Sequence, residues 1–175
     1  MPVIDALAEA YGERDRPDRD PMEVLVKGVL SQNTSDTNSD RAYAQLRERY
    51  PTWEEMRAAD EEDIAEAIKS GGLADQKAAT ISSVLEWALG SGEQPWSRLR
   101  GEGPEAAEKE LTDIKGIGIK TARLVLLFAF GWPVFVVDTH VHRVSRRVGL
   151  VPEDATRRKS HTLLDELVPD ERMYE

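Results

Sequence analysis

The spacing of apolar residues is the feature that most constrains the fold of this 175-residue chain. Apolar side chains recur every three or four residues almost throughout, which is typical of α-helices that bury one face. Thr34 and Ser35 are candidate N-terminal caps for one helix, and Pro51 ends it because proline cannot continue a helix. The spacing predicts helices over 3–10, after Pro21, and over 36–50, 53–58, 60–70, 75–89, 104–113, 119–130, 139–149 and 153–168.

One short run has the composition of a β-strand. Residues 134–137 read Val-Phe-Val-Val and lie between Gly131-Trp132-Pro133 and Asp138. Four residues without a second strand-like run cannot build a sheet, so we interpret them as an extended connector. The sequence therefore predicts an all-α fold, and it contains no internal repeat.

The segment 111–130 predicts two helices joined by a tight turn. Glycines at 116 and 118 let the backbone bend and remove side chains that would block a close approach, and an apolar helix follows from Lys120. The free N–H groups at the start of that helix attract phosphate. A phosphate-binding hairpin is one interpretation, and an ordinary glycine-terminated helix joined to another is the alternative.

Lys120 and Asp138 form a candidate catalytic pair. The positive end of a helix disfavours the ammonium form of a lysine, which raises the share of neutral amine that can act as a nucleophile. Asp138 opens the next predicted helix, where an Asp usually serves as a cap. Capping is compatible with catalysis, because a carboxylate held at a helix start is well oriented beside a developing positive charge.

Composition excludes several classes of protein. With 40% hydrophobic and 32% charged residues, the chain resembles soluble globular proteins. It has no run of about 18 apolar residues and no signal-peptide pattern at its start, so we expect no membrane association and a cytoplasmic location. The absence of cysteine rules out disulfides, a thiol nucleophile and cysteine ligands to zinc or iron–sulfur clusters within these residues.

Charge is unevenly distributed along the chain. The net charge is −10, so overall attraction cannot bring the protein to nucleic acid. Residues 113–159, however, carry nine basic and four acidic side chains, a local charge of +5. This segment is a candidate docking surface for nucleic acid, and a solvated helix face bearing Arg143, Arg146 and Arg147 is the alternative.

Three motifs resemble a known family. KGIGIKTA and the following AFGWPVFVVDTHVHRV are similar to the signature block of the helix-hairpin-helix base-excision DNA glycosylases, of the endonuclease III type. LSQNTSD at 30–36 resembles the family's loop after the second helix, and GLADQKA at 72–78 resembles its second DNA-contacting turn. The resemblance covers about 21–174 and implies a two-lobed, all-α monomer. We expect one lobe at 21–130 and the other from 1–20 with 131–175, with the active cleft between them.

The resemblance implies a lysine-based mechanism on duplex DNA. Lys120 would attack C1′ of a damaged nucleotide, displace the base and form a Schiff base, with Asp138 supporting the lysine and the positive charge on the sugar. β-Elimination would then nick the strand, which makes members with this lysine both glycosylases and lyases. Oxidised pyrimidines are the expected substrates.

The resemblance also implies which residues contact DNA. The target base must leave the stack. Gln32 or Asn33 would fill the gap from one side and Leu73 from the other. The alternative places Gln32 and Asn33 in a helix cap and Leu73 in the core. The remaining implied contacts are Lys115, Gly116, Gly118, Thr139, His140 and Arg143, although His140 can equally be an ordinary surface histidine.

The sequence predicts no metal site formed by side chains. His140 and His142 are two residues apart, so on one helix they face different directions. The family's hairpin carbonyls can hold a monovalent cation. Endonuclease III members usually continue beyond this sequence into a loop whose four cysteines hold a [4Fe–4S] cluster, so we expect either a truncated product or a cluster-free variant.

Two functional alternatives remain open at this point. One keeps the same chemistry and makes the protein a mismatch or uracil DNA glycosylase. The other is a non-catalytic helix-hairpin-helix module that binds DNA, with Lys120 serving only as a phosphate contact. In each case we expect a prokaryotic protein associated with the nucleoid.

Overall fold

The computed structural model describes residues 2–12, 18–92 and 95–173, apart from the side chain of Pro2. The described residues form helices joined by short connections and contain no β-strand. The α-helices are α1 (Pro2–Tyr11), α2 (Pro21–Leu30), α3 (Asp36–Arg49), α4 (Trp53–Arg57), α5 (Glu61–Ala67), α6 (Ala74–Leu89), α7 (Trp96–Glu102), α8 (Pro104–Asp113), α9 (Ile119–Val125), α10 (Thr139–Arg147) and α11 (Arg157–Leu167). Shorter turns are a 3-10 turn at Lys69–Gly71, a π turn at Leu126–Phe130 that extends α9, and a 3-10 turn at Asp170–Arg172.

The all-α prediction is confirmed, but two predicted helices are too long and one helix was not predicted. The helix predicted over 60–70 ends at Ala67 and is followed by the 3-10 turn. The helix predicted over 153–168 begins only at Arg157, because the side chain of Thr156 accepts a hydrogen bond from the Lys159 N–H and caps it. Helix α7 was not predicted, and its Trp96 and Leu99 are buried in the main core.

Side-chain caps explain where several helices begin. Of the two candidate caps for α3, Ser35 is the one used, and it accepts a hydrogen bond from the N–H of Asn38. Thr52 and Glu55 form a reciprocal capping box at the start of α4. Caps of this kind stabilise a helix by about 1 kcal/mol each.

The core lies mainly among α2, α6, α8 and α9. Its fully buried members include Leu25, Leu85, Leu111 and Leu126, and Ile4, Val168 and Met173 join the same cluster. A smaller cluster of Val137, Val151 and Leu164 lies beneath the connector and α11. The predicted division into lobes at 21–130 and 1–20 with 131–175 stays a prediction.

The run at 134–137 is an extended connector, as the sequence predicts. It starts after Gly131, which adopts a left-handed conformation with φ of 79° and ends the π turn. The connector leads directly to Asp138 at the start of α10. None of the helices in the described ranges combines the length and the apolar character that crossing a bilayer requires.

Candidate active site

The hairpin between α8 and α9 requires glycine at one position for two separate reasons. Gly116 has φ of +90°, which side chains rarely tolerate, and a Cβ there would lie 2.2 Å from the Thr80 hydroxyl oxygen. Gly118 differs, because its φ is −99° and its Cβ would meet no atom within 4 Å. The hairpin backbone is therefore pressed against α6 at Gly116 and left open at Gly118, while Ile114 and Ile117 anchor it in the core.

Close packing of α2 against α9 brings Lys120 near the loop after α2. A Cβ on Gly28 would lie 2.9 Å from Cγ2 of Thr121, so the two helices meet at this glycine. Thr121 also accepts a long hydrogen bond from Nε2 of Gln32, at 3.5 Å. Lys120, next to Thr121 in the first turn of α9, is only partly buried. Lys120 therefore lies beside the 31–34 loop and lines the same cleft.

Asp138 is the N-cap of α10, as the sequence predicts. Its Oδ1 accepts a hydrogen bond from the N–H of Val141 at 2.7 Å. The side chain is only partly buried. One oxygen is thus fixed by the helix start, and the carboxylate can still face a ligand in the adjacent space.

Lys120 and Asp138 line one cleft of about 670 Å³. Of the other predicted site residues, Gln32, Asn33, Thr139 and His140 line it as well. Leu73, Lys115, Gly116, Gly118 and Arg143 are outside its lining. The remaining lining residues, which the sequence analysis did not single out for the site, are Ser31, Thr34, Asp36, Val137 and Arg157.

Asn33 and Leu73, two of the three residues predicted to fill the vacated base stack, share a backbone conformation. Asn33 and Leu73 both have φ of 51°, in the left-handed region that residues other than glycine seldom adopt. The side chain of Leu73 is 52% exposed, so the interpretation of Leu73 as a core residue is wrong. Asn33 is exposed, and the cap of α3 is Ser35. Both side chains are thus presented to solvent.

A buried lysine, which the sequence analysis missed, holds both of these segments. Nζ of Lys77 donates hydrogen bonds to the carbonyl oxygens of Leu30 at 2.7 Å and Gly71 at 2.9 Å. Leu30 comes just before the loop at 31–34, called the Gln32 loop below, and Gly71 comes just before the turn at 72–73, called the Leu73 turn. Burial lowers the pKa of Lys77. Lys77 belongs to the GLADQKA motif, which the resemblance interprets as a DNA-contacting turn, and nothing in that motif predicts a buried lysine.

Two arginines lie beside the residues that line the cleft. Nη2 of Arg143 donates to Nδ1 of His140 at 3.0 Å, so Arg143 adjoins the cleft through His140. Nη1 of Arg157 donates to the Thr139 hydroxyl at 3.4 Å. The sequence predicts Arg157 only as part of the basic segment, because nothing in the local pattern places the start of α11 beside α10.

The histidines of α10 have separate partners. His140 bonds to Arg143, whereas Nε2 of His142 donates to the carbonyl oxygen of Ala155 at 2.8 Å. Across the part of the chain that the structure describes, no group of three or more His, Asp or Glu side chains is placed to hold a metal ion. The family's [4Fe–4S] cluster does not fit this chain, which offers no thiolate ligand.

The sequence and the fold match one family. The family model described as HhH-GPD superfamily base excision DNA repair protein matches residues 26–170. Endonuclease III of Thermotoga maritima is 36% identical over 158 residues, which are 90% of this chain and 70% of that protein. The candidate DNA glycosylase At3g47830 of Arabidopsis thaliana is 39% identical over 152 residues, 86% of this chain and 52% of that protein. The chain therefore spans about half the length of the Arabidopsis relative.

A solved structure indicates the same family. Endonuclease III in a non-covalent complex with DNA superposes with a TM-score of 0.82 at 30% identity, over 98% of this chain and 78% of that one. The chain belongs to the HhH-GPD superfamily of base excision DNA repair proteins, and within it to the endonuclease III type.

Proposed function

We propose that this protein is a base-excision DNA glycosylase with lyase activity that removes oxidised pyrimidines from duplex DNA. The observation that carries the proposal is the shared cleft of Lys120 and Asp138. An amine at a helix start and a carboxylate at the next helix cap supply a nucleophile and a fixed negative charge to one space. Membership of the endonuclease III type supports the same assignment.

The chemistry follows from these two groups. The neutral amine of Lys120 attacks C1′, and the bond from C1′ to the base breaks with its electron pair leaving on the base. The carboxylate of Asp138 stabilises the positive charge that develops on the sugar. The nitrogen passes the proton that it carries after the attack to O4′ as the sugar ring opens, which gives the Schiff base. A proton then passes from C2′ to water or to the Asp138 carboxylate, and the electron pair left behind expels the 3′ phosphate and nicks the strand.

The target nucleotide must leave the stack before this attack. The cleft volume of about 670 Å³ is within the usual range for small-ligand sites. Asn33 and Leu73, both exposed and both held by segments that bond to Lys77, are the side chains that fill the vacated stack. The polar lining of Gln32, Thr139 and His140 supplies hydrogen bonds to the extruded nucleotide.

Docking depends on local charge. The +5 segment 113–159 includes Lys115 on the hairpin and Arg143 on α10. These cations bind phosphates, and the open side of Gly118 lets the backbone approach within hydrogen-bonding distance. The proposal also includes a monovalent cation bound by the hairpin carbonyls. We further propose that the protein is a monomer located at the nucleoid of a prokaryotic cell.

Borohydride trapping on a duplex that contains an abasic site tests the central step. Only a Schiff base leaves a covalent protein–DNA adduct after reduction. We expect the unmodified protein to be trapped and Lys120→Gln to give no adduct and no nick while still binding DNA, because it loses one of several cationic contacts. Lys115→Gln is the matched control, since it also removes a hairpin lysine and one phosphate contact, and at saturating protein it should be trapped to the same extent as the unmodified protein.

The outcomes separate the alternatives. Adduct formation by Lys120→Gln would assign the nucleophile to another amine. Binding without trapping by the unmodified protein would favour the non-catalytic module. Substrate choice is tested separately, with duplexes that carry an oxidised pyrimidine, uracil or a thymine mismatch. Release of uracil or mismatched thymine in preference to the oxidised base would replace the proposed substrate.

A further inference from the structure

A buried arginine joins the two chain segments that carry Lys120 and Asp138. Arg123 follows Lys120 by one turn of α9, and Phe135 precedes Asp138 by three residues. Nη1 of Arg123 donates to the Phe135 carbonyl oxygen at 3.1 Å. The same nitrogen donates to Oδ2 of Asp165 at 2.7 Å. Arg123 is only 9% exposed, which is unusual for an arginine.

Side chains form hydrogen bonds with both the N–H and the carbonyl oxygen of Phe135. Oδ1 of Asp165 accepts a hydrogen bond from the Phe135 N–H at 2.6 Å. The Phe135 carbonyl oxygen, besides its bond from Arg123, accepts one from Nδ1 of His161 at 2.9 Å. Side chains from α9 and α11 therefore clamp the connector at one residue.

A second carboxylate also bonds to the Arg123 guanidinium. Nε of Arg123 donates to Oε2 of Glu108 on α8 at 2.5 Å. The rigid guanidinium thus bonds to α8, the connector and α11 at once, which a lysine ammonium cannot reproduce in the same geometry. Buried charged groups with several well-formed partners hold a fixed geometry, and loss of one partner is costly.

The N-cap hydrogen bond of Asp138 does not join the connector to α9. The bond from the Val141 N–H to Asp138 orients the carboxylate relative to α10 alone. It does not fix the distance between α10 and α9. Among the side-chain hydrogen bonds that the structure describes for the connector, the bond from Arg123 to the Phe135 carbonyl oxygen joins it directly to α9.

We propose that Arg123, together with Asp165, is a positioning residue that sets the placement of Asp138 relative to Lys120. The inference rests on the proposed glycosylase and lyase function of that pair. Catalytic groups need placement to within about 0.5 Å, and an error of about 1 Å costs roughly a hundredfold in rate. Loosening the connector should therefore slow the chemistry without weakening the binding of DNA.

The test compares two arginines that both bond to main-chain carbonyls. Arg100 donates to the carbonyl oxygens of Ala129 at 2.7 Å and Phe130 at 3.4 Å, before the connector begins. Arg123→Gln and Arg100→Gln are each assayed in single turnover with enzyme in excess, on an oxidised-pyrimidine duplex, below the temperature at which either variant unfolds. The affinity for the duplex is measured in parallel.

We expect Arg123→Gln to cut the single-turnover rate about ten- to a hundredfold at unchanged DNA affinity. Arg123→Lys, which keeps the charge and loses the fork, should be intermediate. Asp165→Asn, which is nearly isosteric, should also slow the reaction. It is the second variant to use if Arg123→Gln folds poorly. Arg100→Gln should react at the unmodified rate. Equal rates for the Arg123 and Arg100 variants would overturn the proposal.

Hydrogen exchange separates failure of this inference from failure of the proposed function. The amides of residues 134–138 should exchange at least about tenfold faster in Arg123→Gln than in Arg100→Gln. This readout needs no catalysis. If the unmodified protein has no activity, the proposed function is wrong, and hydrogen exchange still tests whether Arg123 holds the connector. Unchanged exchange in Arg123→Gln would show that Arg123 does not hold it.

Discussion

Nζ of Lys77 donates a 2.7 Å hydrogen bond to the carbonyl oxygen of Leu30, 47 residues earlier in the chain. A second bond to the carbonyl oxygen of Gly71 makes this lysine the common anchor of the Gln32 loop and the Leu73 turn. Lys77 is 2% exposed, so its contacts cannot be replaced by water without local opening. The two segments proposed to enter the DNA stack are therefore fixed to a single side chain.

Lys77→Met should destabilise the protein by about 2 kcal/mol. Methionine fills a similar volume, but it leaves two buried carbonyl oxygens without their donor, and this loss exceeds the gain from no longer burying a charge. Urea unfolding measures the change. Lys109→Met, at an exposed position of α8, is the control and should change the free energy of unfolding by less than about 0.5 kcal/mol. Equal unfolding midpoints for the two variants would contradict the anchoring role.

Asp138→Asn separates the cap from the catalyst. Asparagine caps helices as well as aspartate, so the free energy of unfolding should fall by only a few tenths of a kcal/mol. The rate of base removal should nevertheless fall by about two orders of magnitude or more, because the negative charge opposite the sugar is lost. Thermal unfolding and single-turnover base release check the two statements. A variant that turns over normally would leave Asp138 with a structural role alone.

Stability should decrease on mild acidification because of His161. Burial lowers the pKa of this histidine below its usual 6.5; Arg123 also lowers it, whereas the Phe135 carbonyl, Asp165 and Glu108 act in the opposite direction. The unfolded chain therefore takes up the proton first as the pH falls. The free energy of unfolding should therefore decline as the pH falls through and below the ordinary histidine pKa of 6.5.

The control for this pH dependence is His161→Asn, whose amide can donate to the same Phe135 carbonyl and does not titrate. Urea unfolding at several pH values should give a flatter profile for this variant than for the unmodified protein. Parallel profiles would assign the acid sensitivity to other groups.

The salt dependence of DNA affinity should distinguish a phosphate contact from a side chain that fills the vacated base stack. Arg143→Ala should make the log–log slope of DNA affinity against salt shallower by about one unit and leave the preference for damaged over intact duplex unchanged. Leu73→Ala should keep the slope and weaken that preference, because its side chain would no longer fill the vacated stack. Binding curves at a few salt concentrations on both duplexes measure the two effects. Identical slopes for Arg143→Ala and the unmodified protein would move the docking surface elsewhere.

The parts of this structure that the sequence predicts are those determined by neighbouring residues. Ser35 and Asp138 are recognisable as caps because capping is a contact over three residues. Helix α7 was missed because Pro95, Gly101 and Gly103 resemble a loop, and its formation depends on burial of Trp96 and Leu99 against distant helices.

The same distinction holds at the site. Lys120 and Asp138 are found because a motif marks their chain positions. Lys77 and Arg123 act across 47 and 42 residues, to Leu30 and Asp165, and no local pattern encodes such pairs. Arg157 reaches the cleft only because α11 folds back against α10.

The left-handed backbone at Leu73 has a consequence for protein engineering. A residue with a side chain in this conformation costs about 1 kcal/mol relative to glycine, and this leucine recovers little of that energy because half of its surface faces water. A search for thermostable variants that is guided by melting temperature alone would therefore select glycine at this position. Such a search would enrich the more durable protein while discarding the side chain proposed to enter the DNA stack, so position 73 should be held constant in any stability screen of this fold.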